Sequence, residues 1–279
     1  METSDRFTQR QRTESEKLVD KTFKALVLAF SAIVAIVLLG ILLVVFVQST
    51  ESMSRYGFRF LFSSDWNPVN DQYGAFTAIY GTLLTSFASL CIAIPLGLGT
   101  AIFITEDFVP KRIRQIIGNM IELLAAIPSV VLGLWAIFVM EPFIRPLFLV
   151  IHNYLGWIPF FSSEPVGNGI APAILILVIM ILPIITSISR DCLIQVPSKL
   201  REAAYGIGAS RWTAIIKIIL PAAISGISAG VLLALGRAMG ETMAVTMIIG
   251  NSMNFNWSLL APGNTISAML ANQFGEADG

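Results

Sequence analysis

Charge is what this 279-residue sequence has least of. Lys, Arg, Asp and Glu make up 13% of it, against the roughly 25% of an ordinary soluble domain. A chain this poor in charge is ill suited to covering a large water-facing surface, so lipid is its expected solvent. Acidic and basic residues number 18 each, so there is no basic field to attract nucleic acid, and no nucleic-acid partner is expected. Cysteine is almost absent. Cys91 and Cys192 have no companions at metal-ligand spacing, which argues against a disulfide framework and a thiolate metal centre. His152 is the one histidine, and alone it supplies neither a zinc site nor a base for a nucleophile. No G-x-x-x-x-G-K-S/T phosphate loop occurs, so ATP hydrolysis is not expected of this chain. Catalytic residues, metal ligands and a cofactor of its own are all expected to be lacking.

What the chain has instead is long apolar runs, with 55% hydrophobic residues. A membrane helix needs about 20 mostly apolar residues. Five stretches qualify: residues 26–47, 76–105, 116–140, 169–189 and 222–250. The expected fold is an all-α membrane protein, a polytopic helix bundle. The first run is too long for a cleaved leader and reads as an uncleaved anchor. Residues 1–25 then form a tail, 26–47 the anchor, 48–75 an outer loop, and 76–279 the core, with a polar basic loop at 190–221.

Lysine and arginine give the orientation. Six lie in the tail (Arg6, Arg10, Arg12, Lys17, Lys21, Lys24), three at 106–115 (Lys111, Arg112, Arg114) and five at 190–221 (Arg190, Lys199, Arg201, Arg211, Lys217). These fourteen share one side; Arg55, Arg59 and Arg145 lie on the other. The tail and the basic loop are therefore expected in the cytoplasm. The outward connections, 48–75 and 141–168, are rich in aromatics such as Tyr56, Trp66 and Tyr73. They suit an interfacial belt, or a lip for an external partner.

Three charges fall inside the apolar runs: Glu122, Arg237 and Glu241. An ionised group at the bilayer centre costs at least about 2.5–3.5 kcal/mol, so such residues mark a pair or a pathway. Arg237 is placed near the middle of the fifth run, and Glu241, four residues on, shares its helix face. One reading is a self-neutralising ion pair that steadies the bundle. The other is a fixed positive charge past which an anion moves, moderated by Glu241, because the guanidinium fork binds oxyanions and never titrates. Thr242 and Thr246 add hydroxyls to the same stretch. Gly230, Gly236, Gly240, Ala234 and Ala238 offer a small-residue packing surface. Glu122 is expected two turns inside the third run, with a structural or a gating role, and Pro128 is expected to kink that helix.

The basic loop carries a spaced pattern: Glu202-Ala203-Ala204, then Gly208, then Ile218-x-Leu220-Pro221. Between two apolar runs it describes a cytoplasmic helix-turn-helix beneath a membrane domain. It resembles the EAA loop of ABC-importer permeases, which docks on an ATPase subunit. Further segments sharpen the likeness: Tyr73-Gly74-Ala75, Ile79-Tyr80-Gly81-Thr82-Leu83, residues 121–135, residues 202–209, the string Gly236-Arg237-Ala238-Met239-Gly240-Glu241-Thr242-Met243-Ala244-Val245, and Pro262-Gly263-Asn264 with Ala271-Asn272-Gln273-Phe274. Together they resemble the C-type permease subunit of phosphate-specific (Pst) ABC importers.

The resemblance implies a bundle of the type I ABC-importer permease kind, with five spans here. A sixth is expected in the family after Pro262-Gly263-Asn264, so a truncated chain is expected. It also implies a transport subunit, not an enzyme, that moves inorganic phosphate into the cytoplasm by alternating access. The implied setting is the bacterial inner membrane, with the N-terminus cytoplasmic. The implied partners are a second homologous permease subunit, two ATPase subunits that carry ATP and Mg²⁺, an extracytoplasmic phosphate-binding protein and the bilayer. Arg237, Glu241, Glu122 and Thr242 would lie on the substrate path; Glu202, Ala203, Ala204 and Gly208 would couple to the ATPase. The alternatives are a permease for another oxyanion, molybdate or sulfate, and a secondary transporter or channel without an ATPase, for which inverted repeats or broken helices would speak. A membrane enzyme would need a nucleophile–base pair that the spans do not offer.

Overall fold

The computed structural model describes residues 14–67, 70–106 and 108–275. It falls into two units, divided after Phe58. The first contains one helix, α1 (Glu14–Tyr56), of 43 residues. At 1.5 Å per residue it is about 65 Å long, roughly twice the hydrocarbon core of a bilayer. The apolar stretch expected at 26–47 is therefore the middle of a longer helix, which takes in part of the expected tail and the start of the expected loop. No proline interrupts the run and the single Gly40 inside it does not break it; Gly57 ends the helix at φ +55° as a left-handed C-terminal cap. No side chain of α1 is buried, and a helix apolar all round requires lipid or protein about it. Arg6, Arg10 and Arg12 lie outside the described residues.

The second unit contains α2 (Arg59–Phe62), α3 (Phe76–Thr105), α4 (Lys111–Ala126), α5 (Ser129–Trp135), α6 (Glu141–Leu155), α7 (Ile170–Ile194), α8 (Ser198–Gly206), α9 (Arg211–Ala214), α10 (Leu220–Gly240), α11 (Met243–Ile248) and α12 (Ile266–Gln273). Wide π turns at Ala136–Met140 and Ile215–Ile219 join α5 to α6 and α9 to α10. Each is followed two residues later by a proline, Pro142 or Pro221. The helix continues through both, because the widened turn gives the ring room that a regular α-turn denies it.

Among the described residues, five helices are long and apolar enough to cross a membrane: α1, α3, Ser129–Leu155, α7 and Arg211–Gly240. Besides the longer α1, the third and the fifth differ most from the sequence expectation. The third was expected at 116–140 with a kink at Pro128. Instead the chain breaks: α4 ends at Ala126, Ile127 is extended (φ −71°, ψ 127°), and a new helix starts after Pro128. The residue before a proline is pushed out of the α-region, so Ile127 and not only the lost hydrogen bond ends the helix. The span runs on to Leu155 and takes in Glu141, Arg145 and His152, while Glu122 falls outside it on α4. The fifth was expected at 222–250, but it ends at Gly240. Arg237 is thus near the end of its span, not near the middle.

The core is built on α7. Ile176, Leu177, Ile181 and Ile185 are at most 1% exposed, α3 packs along α7, and α10 packs on both. Small residues let the backbones approach. Gly97 of α3 meets Ile185 and Thr186, and Gly230 of α10 meets Ile188. Of the small-residue surface expected on α10, Gly230, Ala234 and Ala238 are buried, whereas Gly236 and Gly240 have open space where a Cβ would go. A second apolar cluster at the other end joins Ala101, Leu193, Val196, Ile215, Ile219, Ala223 and Ile227.

Gly81 shows how tight the first end is. A Cβ there would run into the backbone carbonyl of Asn264. The next residue, Thr82, accepts the Ile266 N–H through Oγ1 at 2.9 Å. Gly81→Ala is expected to destabilise the fold by about 1–3 kcal/mol, because backbone cannot yield as a side chain can. Gly99→Ala is the control. Gly99 is exposed on the same helix with open space around it, and there alanine should stabilise by about 0.5–1 kcal/mol. Thermal unfolding in detergent reads both, and equal midpoints for the two variants would refute the close approach.

Candidate functional site

The first candidate centre is the break between α10 and α11. Gly240 ends α10, Glu241 is extended (φ −69°, ψ 122°), and Thr242 precedes α11. Glu241 and Arg237 were expected to meet across a helical turn, and they do meet, with Arg237 Nη2 3.7 Å from Glu241 Oε2. The helix, however, ends between them. Glu241 has a second task there, since its Oε1 accepts the Ala244 N–H at 3.3 Å and so satisfies an otherwise orphaned donor in the first turn of α11. Its main-chain oxygen accepts from Ser267 Oγ at 2.8 Å, which ties the break to α12. The carboxylate is buried, with 7% of the side chain exposed, while Arg237 is 51% exposed. The centre thus offers a fixed anion behind and an accessible guanidinium in front. Thr242 Oγ1 donates to the Gly240 carbonyl at 3.2 Å, and Thr246 Oγ1 to the Thr242 carbonyl at 2.7 Å. Both hydroxyls are engaged locally at the break.

Glu122 is not brought to this centre. It lies on α4 with its side chain 70% exposed, 3.7 Å from Arg190 Nη1 near the end of α7.

The second centre is the hairpin of α8 and α9. Gly208 makes its turn at φ +83° with open space around it, a conformation that favours glycine. Ser210 caps α9, its Oγ accepting the Thr213 N–H at 3.3 Å. The three residues of the Glu-Ala-Ala motif separate. Glu202 and Ala203 are exposed, whereas Ala204 is buried and seats the hairpin. Tyr205, Ile207 and Trp212 are exposed beside them, Ile207 by 83%, so the hairpin carries an apolar surface around an acidic residue.

Two residues of this centre escaped the sequence reading. Arg201 of α8 donates from Nη1 to the Glu106 carboxylate and from Nη2 to the Leu193 carbonyl at 2.8 Å. Glu106 caps the end of α3, and Leu193 lies in the last turn of α7. Both side chains are largely buried, 21% and 10% exposed. One guanidinium therefore clamps the hairpin to two long helices. A buried Arg–Glu pair across 95 residues leaves no local spacing in the sequence; only the adjacency of Arg201 to Glu202 could have raised it.

Beside Gly81, at the other end of α3, Phe76, Tyr80, Phe255 and Trp257 form an aromatic cluster with neighbouring ring centroids 5.0–6.3 Å apart.

Comparison with known proteins agrees with this architecture. Residues 93–270 match the family described as binding-protein-dependent transport system inner membrane component. A phosphate transport system permease protein PstC of Mesorhizobium japonicum is 46% identical over 94% of this chain and 81% of its own length. The PstC of Pasteurella multocida is 39% identical over 97% and 88%, and a probable PstC of Methanocaldococcus jannaschii is 33% identical over 95% and 86%. Among solved structures, an inward-facing MetNI methionine ABC transporter matches 72% of this chain and 81% of its own at a TM-score of 0.54, with 16% identity, a likeness of fold. The chain belongs to the family of binding-protein-dependent transport system inner membrane components.

Proposed function

We propose that this chain is the permease subunit of an ATP-driven importer that moves inorganic phosphate into the cytoplasm by alternating access. What carries the reading is nearly full-length similarity to phosphate transport permeases, together with an accessible arginine at an interrupted helix, Arg237. Phosphate carries one to two negative charges at neutral pH, and a planar guanidinium complements its oxygens. Glu241 behind it lowers the net attraction, so that the anion leaves as readily as it enters. Interrupted helices also occur in ion-coupled transporters, and it is the family, not the interruption, that favours an ATP-driven importer.

The reading assigns the hairpin of α8 and α9 to an ATPase subunit, through Glu202, Ala203 and the exposed apolar residues, with Gly208 as the turn and Ala204 as the seat. ATP and Mg²⁺ then belong to that partner. A second permease subunit completes the path, and a phosphate-binding protein delivers at the opposite end, where the aromatic cluster lies. The excess of Lys and Arg on the hairpin side supports a cytoplasmic hairpin and N-terminus in a bacterial inner membrane.

The test is uptake of radiolabelled phosphate by the assembled complex in proteoliposomes, with and without ATP, against excess sulfate or molybdate. Uptake should require ATP and resist both competitors. Competition by molybdate or sulfate as strong as that by unlabelled phosphate would favour another oxyanion, and uptake driven without ATP would favour a secondary transporter.

A further inference from the structure

Where α3, α4 and α7 meet at the hairpin end, they line an open cavity of about 350 Å³. Its polar lining is Thr105 of α3, Lys111, Arg114, Gln115, Asn119 and Glu122 of α4, and Arg190 of α7. Three cations face one carboxylate there, and two side-chain amides add donors. The cations are positioned by the protein: Arg114 Nη1 donates to the Thr105 carbonyl at 3.3 Å, and Arg190 stands 3.7 Å from Glu122. Gly118, also in the lining, lies beside Arg190; a Cβ there would make an ordinary contact with Arg190 Nη1 at 3.8 Å.

Cationic and amide donors that converge on one concavity are a suitable lining for an oxyanion. Spacings of three, four and eight residues from Lys111 put Arg114, Gln115 and Asn119 on one helical face. The other face presents Ile113, Ile116, Met120 and Leu123, which are 44–68% exposed. A helix with donors on one face and exposed apolar residues on the other suits a membrane interface. The site is distinct from Arg237. Glu241 is held level with Thr82 through Ser267 and Ile266, and Thr105 is about 35 Å farther along α3 at 1.5 Å per residue.

We propose that this cavity binds a phosphate oxyanion, held by Lys111, Arg114 and Arg190 with Gln115 and Asn119 as neutral donors. The phosphate has two possible sources. It is either inorganic phosphate leaving on the hairpin side, which rests on the transport reading above, or the headgroup phosphate of a bilayer lipid, which does not.

The test follows acetylation of Lys111 in the complete complex by peptide mass spectrometry, with Lys217 as an exposed internal control. Discs of phosphatidylglycerol are compared with discs of digalactosyldiacylglycerol, which has no phosphate. In each, inorganic phosphate is compared with chloride at equal ionic strength. In galactolipid discs, phosphate at about four times its dissociation constant should slow Lys111 acetylation about fivefold by mass action and leave Lys217 unchanged. That result identifies the free anion. Slowing in phosphatidylglycerol discs without added phosphate identifies the lipid headgroup. Arg114→Gln or Asn119→Leu should remove the protection, and the wild-type comparison stands even if a variant fails to assemble. No protection in either disc, or equal slowing at Lys217, overturns the proposal. Phosphate uptake measured in parallel tells its failure apart from failure of the transport reading.

Discussion

Arg201→Met is expected to cost about 3–5 kcal/mol, the usual penalty for removing one partner of a buried ion pair. Glu106 would then be left as an uncompensated carboxylate with 10% of its side chain exposed, and the Leu193 carbonyl would lose its charged donor. The loss falls where the hairpin joins α3 and α7, so it should also appear as uncoupling. ATP hydrolysis should persist in complexes that assemble, while phosphate uptake per ATP falls. Arg201→Lys keeps the charge but cannot reach the carboxylate and the carbonyl with one planar fork, so an intermediate loss is expected. A double-mutant cycle with Glu106→Gln isolates the pair. The double variant should be less destabilised than the sum of the two singles, and additivity within about 0.5 kcal/mol would show that the pair contributes nothing. The hairpin clamp predicts that uptake tracks this coupling energy, and uptake unchanged by Arg201→Met would remove it from the mechanism.

Arg237→Gln should abolish most uptake with assembly intact. Removing a charged hydrogen-bond donor typically costs about 1.5–3 kcal/mol, roughly ten- to hundredfold in affinity for an anion on the path. Because Arg237 is half exposed, little folding stability should go with it. Glu241 predicts the opposite signature. In Glu241→Gln the side-chain carbonyl can still accept the Ala244 N–H, but the negative charge behind Arg237 is gone. Phosphate should bind more tightly and leave more slowly, lowering both the half-saturation concentration and the maximal rate of uptake. Glu241→Ala loses the cap as well and should cost about 1 kcal/mol of stability. If Arg237→Gln transports at the wild-type rate, Arg237 is a structural partner of Glu241 and no part of the path.

That the described chain has five helices apolar enough for a membrane was legible in the sequence alone. Lipid selects on length and apolarity, which are properties of composition. The hairpin motif was equally readable, because Gly208 marks a left-handed turn and its spacing to Glu202-Ala203-Ala204 is local. The Arg237–Glu241 contact was expected from a four-residue spacing and is present.

Where helices break was decided by local backbone rules weaker than apolarity. Ile127 was overlooked because a hydropathy window passes over a single extended residue before a proline. The end of α10 at Gly240 was overlooked because the apolar run resumes at Met243-Ala244-Val245 and a hydropathy window passes over the two polar residues Glu241 and Thr242. Its interruption rests on Glu241 capping α11 and on Ser267 holding the Glu241 carbonyl, contacts made by residues distant from α10 or beyond its end. Glu122 was assigned to the membrane for the same reason and lies instead on α4 beside Arg190. The Arg201–Glu106 clamp is wholly tertiary, and so is the approach of Arg190 to the donors that α4 carries at local helical spacing. Arg201 meets Glu106, and Arg190 meets Glu122, across long stretches of chain, and these charges become neighbours only when α3, α4, α7 and α8 pack together.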